Sequence, residues 1–242
     1  MLAGSLLQQC YNIADTLIVG QCIGANALAA VGSAYTLMVF LISILLGLSM
    51  GSGTVFSLQY GAGDLSALRR SIYVSFLLIG TVTILLNVAV FLWLDPILRW
   101  LQVPYDIYSL MRNYLWIIFW GIVFTFLYNF YAALLRAVGD SVTPLWFLAV
   151  SVVLNIGLDL FLILVLDQGI EGAAVATVIA QGTAASGILL YTYKIRPELR
   201  LHREDMRFDR SSLREITSFS TLTCVQQSVM NFGILMVQGL VN

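Results

Sequence analysis

The chain has 242 residues, 60% of them hydrophobic and only 10% charged, with a formal net charge of −1 and a mean hydropathy of +0.90. Such a composition excludes an ordinary water-soluble domain and is that of an integral membrane protein. One histidine and three scattered cysteines provide no metal-ligand or redox spacing and no His-based dyad, which argues against an enzyme.

A membrane helix needs about 20 apolar residues, and such runs lie near 34–59, 72–94, 113–135, 143–166 and 172–193. A first run over 1–22 has only 14 residues before Asp15, and a last one begins near Leu213 and is still apolar at Asn242. Both read as incomplete helices of a longer protein. No basic segment precedes the first run, so it does not read as a signal peptide. Membrane barrels show alternating segments of about ten residues; these runs are twice that length, and helices satisfy their own backbone in lipid. The expected fold is therefore all-α and membrane-integral, with six helices in 1–193, a connector over 194–212 and the start of a seventh helix over 213–242.

Local signals agree with these bounds. Gly61-Ala62-Gly63-Asp64 lacks the third glycine and the strand context of a dinucleotide fingerprint and reads as a tight loop. Gly139-Asp140 reads as a turn, followed by Thr143 as N-cap and Pro144 at the first helical position. Gly172, Ala176, Ala180 and Ala184 form a small-residue packing face. Trp93, Trp100, Tyr105, Tyr108, Trp116, Tyr191 and Tyr193 lie near the ends of runs, where interfacial anchors belong.

Basic residues orient the chain. Arg69, Arg70, Arg136, Lys194, Arg196, Arg200, Arg203, Arg207, Arg210 and Arg214 fall on one side of the expected topology, and only Arg99 and Arg112 on the other. The positive-inside rule then puts the amino terminus and the connector in the cytoplasm. Glu198, Glu204, Asp205 and Asp209 offset much of the connector's basic charge, so it reads as a solvated linker and not as a nucleic-acid site.

Asp15 and Asp159 are the only charged side chains deep inside apolar runs. A charge at the bilayer centre costs roughly 2.5–3.5 kcal/mol on an insertion scale, so two of them point to an ion-coupling site. Ser151, Asn155 and Asp159 recur every four residues and share one helical stripe. Gln8, Tyr11, Asn12 and Asp15 do the same on the first helix, Thr177 and Gln181 form a pair on the sixth, and Tyr114 starts the fourth. Burial and a second carboxylate both favour the protonated form, so a close pair of aspartates is suited to binding and releasing a proton; the same oxygens suit sodium. The competing reading is that the aspartates are hydrogen-bonded helix glue. On the last helix Ser220, Thr223 or Cys224, Gln227 and Asn231 form a second stripe, which marks Gln227 and Asn231 as candidate substrate contacts or as polar packing.

Four ordered segments carry a family resemblance: Tyr11-Asn12-Ile13-Ala14-Asp15-Thr16 with Val19-Gly20 and the stretch to Gly32, Leu135 to Ser141 with Thr143-Pro144, Leu154 to Asp159, and Gly169 to Thr177. Together they resemble the amino-terminal half of multidrug and toxic compound extrusion (MATE) transporters, in the prokaryotic branch typified by the DNA-damage-inducible protein. The resemblance implies two six-helix lobes, with cation coupling in the first and drug-like substrates exported through a central cavity by alternating access. It implies a cation site at Asp15, Asn155, Asp159 and Thr177, with Tyr114 beside it. It also implies a cytoplasmic-membrane location, no cofactor beyond a coupling proton or sodium ion, and a carboxy-terminal lobe as partner. Two other readings stand beside it: a lipid-linked-oligosaccharide flippase, which is expected to hold basic residues inside the bundle, and a non-transporting scaffold or regulatory subunit.

Overall fold

The computed structural model describes the backbone of residues 2–202, 204–206 and 209–241, and the side chains of residues 7, 12–35, 37–202, 204–206, 209–227 and 229. Every regular element among them is helical: α1 (Leu2–Cys22), α2 (Ala25–Gly61), α3 (Leu65–Trp100), α4 (Tyr105–Trp120), α5 (Ile122–Ala137), α6 (Val142–Leu160), a π-helical continuation (Phe161–Val165), α7 (Gly169–Ile195), a 3-10 turn (Pro197–Leu199) and α8 (Arg210–Val241). Among the described residues α2, α3, α6 with its π turn, and α7 are long and apolar enough to cross a membrane, and α4 with α5 makes a fifth span bent by 45°. The 37 residues of α2, at about 1.5 Å each, extend roughly 55 Å. That exceeds a hydrocarbon core of about 30 Å, so α2 reaches into the interfacial layers.

Three boundaries differ from the sequence expectation. The segment 23–33 is almost wholly helical, since only Ile23 and Gly24 separate α1 from α2; Gly24, at φ 118°, turns the chain where a side chain would be strained. The run 113–135 is two helices, divided at Gly121. Thr143 is not the cap of α6. Its N–H and hydroxyl instead donate to the Asp140 carboxylate at 3.1 and 2.8 Å, because α6 already begins at Val142 and the turn carries Asp140 to the helix end. Partial burial pushes the Asp140 carboxyl up, but the Thr143 donors and the Arg196 guanidinium outweigh it and hold it below the usual carboxylate range.

The helices form two compact units. The second comprises Val39–Thr83, Phe126–Pro144 and Ile188–Asn242. Its core sets Val55 of α2, Val74 of α3 and Ile216 of α8 against Leu78, Leu213 and Phe219, beside a ring cluster of Phe56, Phe76, Phe126 and Phe130 with centroids 5.4–6.0 Å apart. Here α2 and α8 touch backbone to backbone: a Cβ on Gly51 would lie 2.3 Å from Ser220 Cα, and one on Gly47 2.6 Å from Cys224 Cα. The Ser220 hydroxyl donates to the Leu48 carbonyl at 3.2 Å, locking that approach. Arg69 ties the connector to α3 through His202 Nδ1 at 3.1 Å and Asp205 at 3.6 Å.

The first unit comprises Met1–Met38, Ile84–Thr125 and Leu145–Gly187 and contains the acidic pair. In it α4 and α7 run parallel. Asn113 Nδ2, midway along α4, donates to Glu171 Oε1 in the first turn of α7 at 2.9 Å, and Gly121 meets Val178 and Gln181 further along. Asp95 accepts from Tyr108 Oη at 2.9 Å and Arg112 Nε at 2.8 Å. The Arg112 and Asp95 side chains are 42% and 43% exposed, so the pair adds at most about 1 kcal/mol.

Candidate functional site

The first unit is polar where a membrane protein is costly to make polar. Asn155 and Asp159 are fully buried on α6, with Ser151 one turn earlier; Asp15 on α1, Thr177 on α7 and Tyr114 on α4 are each at most 8% exposed. Meanwhile Val150 and Val153 on α6, and Phe161 and Leu164 on its π-helical continuation, are exposed. The four-residue spacing of the polar residues carries them to the inner face of the helix. The sequence-derived stripe is thus an interior stripe.

The Asp15 and Asp159 carboxyl groups lie close enough to act on one another. Two ionised carboxylates have no donor between them, so a proton or a cation would be needed to join them. Asp15 Oδ1 and Asp159 Oδ1 are buried and have no hydrogen-bond partner among the described residues. Buried acceptors left unpaired cost about 1–3 kcal/mol each, and carboxylate oxygens of this kind suit a proton or a small hard cation.

Asn155 is the pivot of the constellation. Its carboxamide is satisfied with Nδ2 donating to Asp159 Oδ2 at 2.9 Å and Oδ1 accepting from the Thr177 backbone N–H at 3.3 Å. The amide thereby joins the Asp159 carboxyl to the α7 backbone. Immediately beyond Asp159 and Leu160, α6 unwinds into the π turn, where Leu166 N–H bonds to Phe161 carbonyl at 3.2 Å. Such wide turns recur beside functional residues because they shift side chains off the regular helical register.

The other expected site residues fall as follows. Asn12 is half-buried and donates to Tyr35 Oη at 3.4 Å, while the side chains of Gln8 and Tyr11 lie outside the described residues. Gln227 belongs to the second unit, where Nε2 rests on Met50 Sδ at 3.2 Å; the side chain of Asn231 lies outside the described residues. Sequence reasoning missed the break at Gly121 and the groups around it. Asn87 Nδ2 donates to the Phe119 carbonyl at 2.7 Å, and Thr125 Oγ1 lies 3.2 Å from the Gly121 carbonyl and 2.8 Å from Gln181 Oε1. Side chains of this kind are how a membrane helix tolerates an interruption. The available signal was Asn87 and Thr125 standing inside otherwise apolar runs.

Comparison with known proteins agrees with this architecture. The MatE family model matches residues 1–161. The chain is 33% identical over 242 residues to the probable multidrug resistance protein YpnP of Bacillus subtilis, covering 100% of this chain and 54% of that protein. It is 30% identical to the probable multidrug resistance protein NorM of Thermotoga maritima, covering 96% and 50%. Its fold matches the outward-facing structure of a multidrug resistance MATE family transporter of the MOP superfamily with a TM-score of 0.90 at 23% identity, over 97% of this chain and 52% of that one. The chain spans about half the length of the curated relatives it matches. Members of this family are transporters and not enzymes, and an interior polar stripe in an otherwise apolar helical bundle fits that assignment: the chain belongs to the MATE family.

Proposed function

We propose that this chain forms the amino-terminal lobe of an exporter of drug-like organic compounds, driven by inward movement of a proton or sodium ion, and that a second lobe completes the transporter. The observation that carries the proposal is the burial of Asp15 and Asp159 close together, with one acceptor oxygen of each unpaired among the described residues. Asp15 and Asp159 bind the cation, Asn155 and Thr177 support it, and Tyr114 closes the site from α4. Loading changes what the Asp159 carboxyl offers the Asn155 amide, and a ligand shifts a conformational equilibrium only through such differential contacts. Alternating access between inward- and outward-open states follows from that shift.

The one-sided distribution of basic residues supports a cytoplasmic position for the amino terminus and the 194–212 connector, with the lobe in the inner membrane. Gln227 and Asn231 are the substrate-facing candidates of the same proposal. In vesicles containing the two-lobe transporter, collapsing the proton and sodium gradients together is expected to stop export of an organic dye, and collapsing the one that drives it is expected to suffice. Export that continues with both gradients collapsed contradicts the proposal.

A further inference from the structure

The helix break at Gly121 lies beside the acidic site and is wired to it by α7. Thr177, which Asn155 reaches, and Gln181, which reaches the break, are four residues apart on α7. One turn of about 6 Å separates them on the same face. On α4, Tyr114 precedes Gly121 by seven residues, two turns along one face. The break itself is tight. A Cβ on Gly121 would lie 2.9 Å from the Ile118 carbonyl, 3.1 Å from Val178 Cγ2 and 3.3 Å from Gln181 Oε1. Glycine is thus the residue that lets α7 press against the bend.

Two side chains carry this path. The Asn155 amide joins Asp159 Oδ2, at 2.9 Å, to the Thr177 backbone N–H, at 3.3 Å. The Thr125 hydroxyl carries one proton and has both the Gly121 carbonyl and Gln181 Oε1 within reach. When Thr125 bonds to Gly121 it closes the first turn of α5 upon itself; when it bonds to Gln181 it fastens α5 to α7. Elements with two discrete arrangements are what physical coupling between sites requires.

We propose that Gln181 is a positioning residue that transmits the occupancy of the Asp15 and Asp159 pair, through α7 and the Thr125 hydroxyl, to the bend between α4 and α5. The proposal rests on the cation-site reading above. Loading of Asp159 weakens the Asn155 bridge to the Thr177 backbone, α7 shifts, and Gln181 changes its hold on Thr125. The bend at Gly121 is the part that moves.

The test is amide hydrogen exchange on the full chain in lipid nanodiscs, with Asp159→Asn as the mimic of a loaded site. Asp159→Asn is expected to change exchange over 118–126. Gln181→Leu and Thr125→Val are each expected to abolish that change while the response over 150–160 persists, and Thr125→Ser, which keeps the hydroxyl, is expected to restore it. A response at 118–126 that survives both variants, or that is missing from the otherwise native chain, overturns the link. Loss of the 150–160 response in both variants also overturns it, because the variants would then have damaged the site itself. The cation reading is judged separately by gradient-driven export, so it can fail while the bend still follows Asp159, and the reverse.

Discussion

Asp159→Asn in the two-lobe transporter is expected to lower ion-driven export by roughly 5- to 150-fold, the span of coupling free energies of about 1–3 kcal/mol. Asparagine keeps the size of the side chain and can still accept from Asn155, but it neither binds nor releases a proton. The site is then fixed in one loading state, and the gradient has nothing to act on. Folding is expected to survive, because removing a buried ionisable group also removes a desolvation penalty. Asp15→Asn is expected to produce a similar loss, and the double variant little more than either single one, because on this proposal the two carboxyls bind one cation and act as a unit. Export by Asp159→Asn that keeps more than about a fifth of the native rate falls outside the expected coupling range and counts against the assignment.

Gly51→Ala is expected to be the most damaging small substitution in α2. Its new methyl would sit 2.3 Å from Ser220 Cα and 2.5 Å from Ser220 N, both backbone atoms of α8 that no rotamer change can move. The helices have to separate, which also stretches the bond from the Ser220 hydroxyl to the Leu48 carbonyl. Overpacking of this kind costs about 1–3 kcal/mol, or roughly 5- to 150-fold more frequent opening of α8, read as faster amide exchange over 210–225. Gly53→Ala supplies the control on the same helix, since its methyl would meet Ala133 Cβ at an ordinary 3.4 Å. Equal behaviour of the two variants sinks the close α2 and α8 contact.

The acidic site was legible because charge is so expensive in these helices that Asp15 and Asp159 stand out against everything around them. The stripe through Ser151 and Asn155 was legible for the same reason, read through helical spacing, and the structure brings Asp15, Asn155, Asp159 and Thr177 together as that spacing suggested. The break at Gly121 was not legible. A lone glycine in an apolar run is common in membrane helices, and what marks this one as a bend is Asn87 and Gln181 arriving from other parts of the chain, with Thr125 one turn further along. The glycine pair Gly47 and Gly51 has the four-residue spacing of a close helix contact, yet nothing in the sequence names α8 as the partner. The cap of α6 was misplaced by three residues because Asp140 and Thr143 are both good capping types. Only the path of the turn decides which of them accepts.

The proposed coupling requires a proton, or a sodium ion in its place, held between the buried Asp15 and Asp159. Infrared difference spectroscopy of the chain in lipid, recorded while pH is varied and again while sodium is added, measures that proton through the carboxylic acid C=O stretch. The expected result is a carboxylic acid band that responds to pH or to sodium and is lost in both Asp15→Asn and Asp159→Asn. A spectrum with no such band, or a band that both substitutions leave unchanged, would show that the pair carries no exchangeable cation and is only a polar contact between helices.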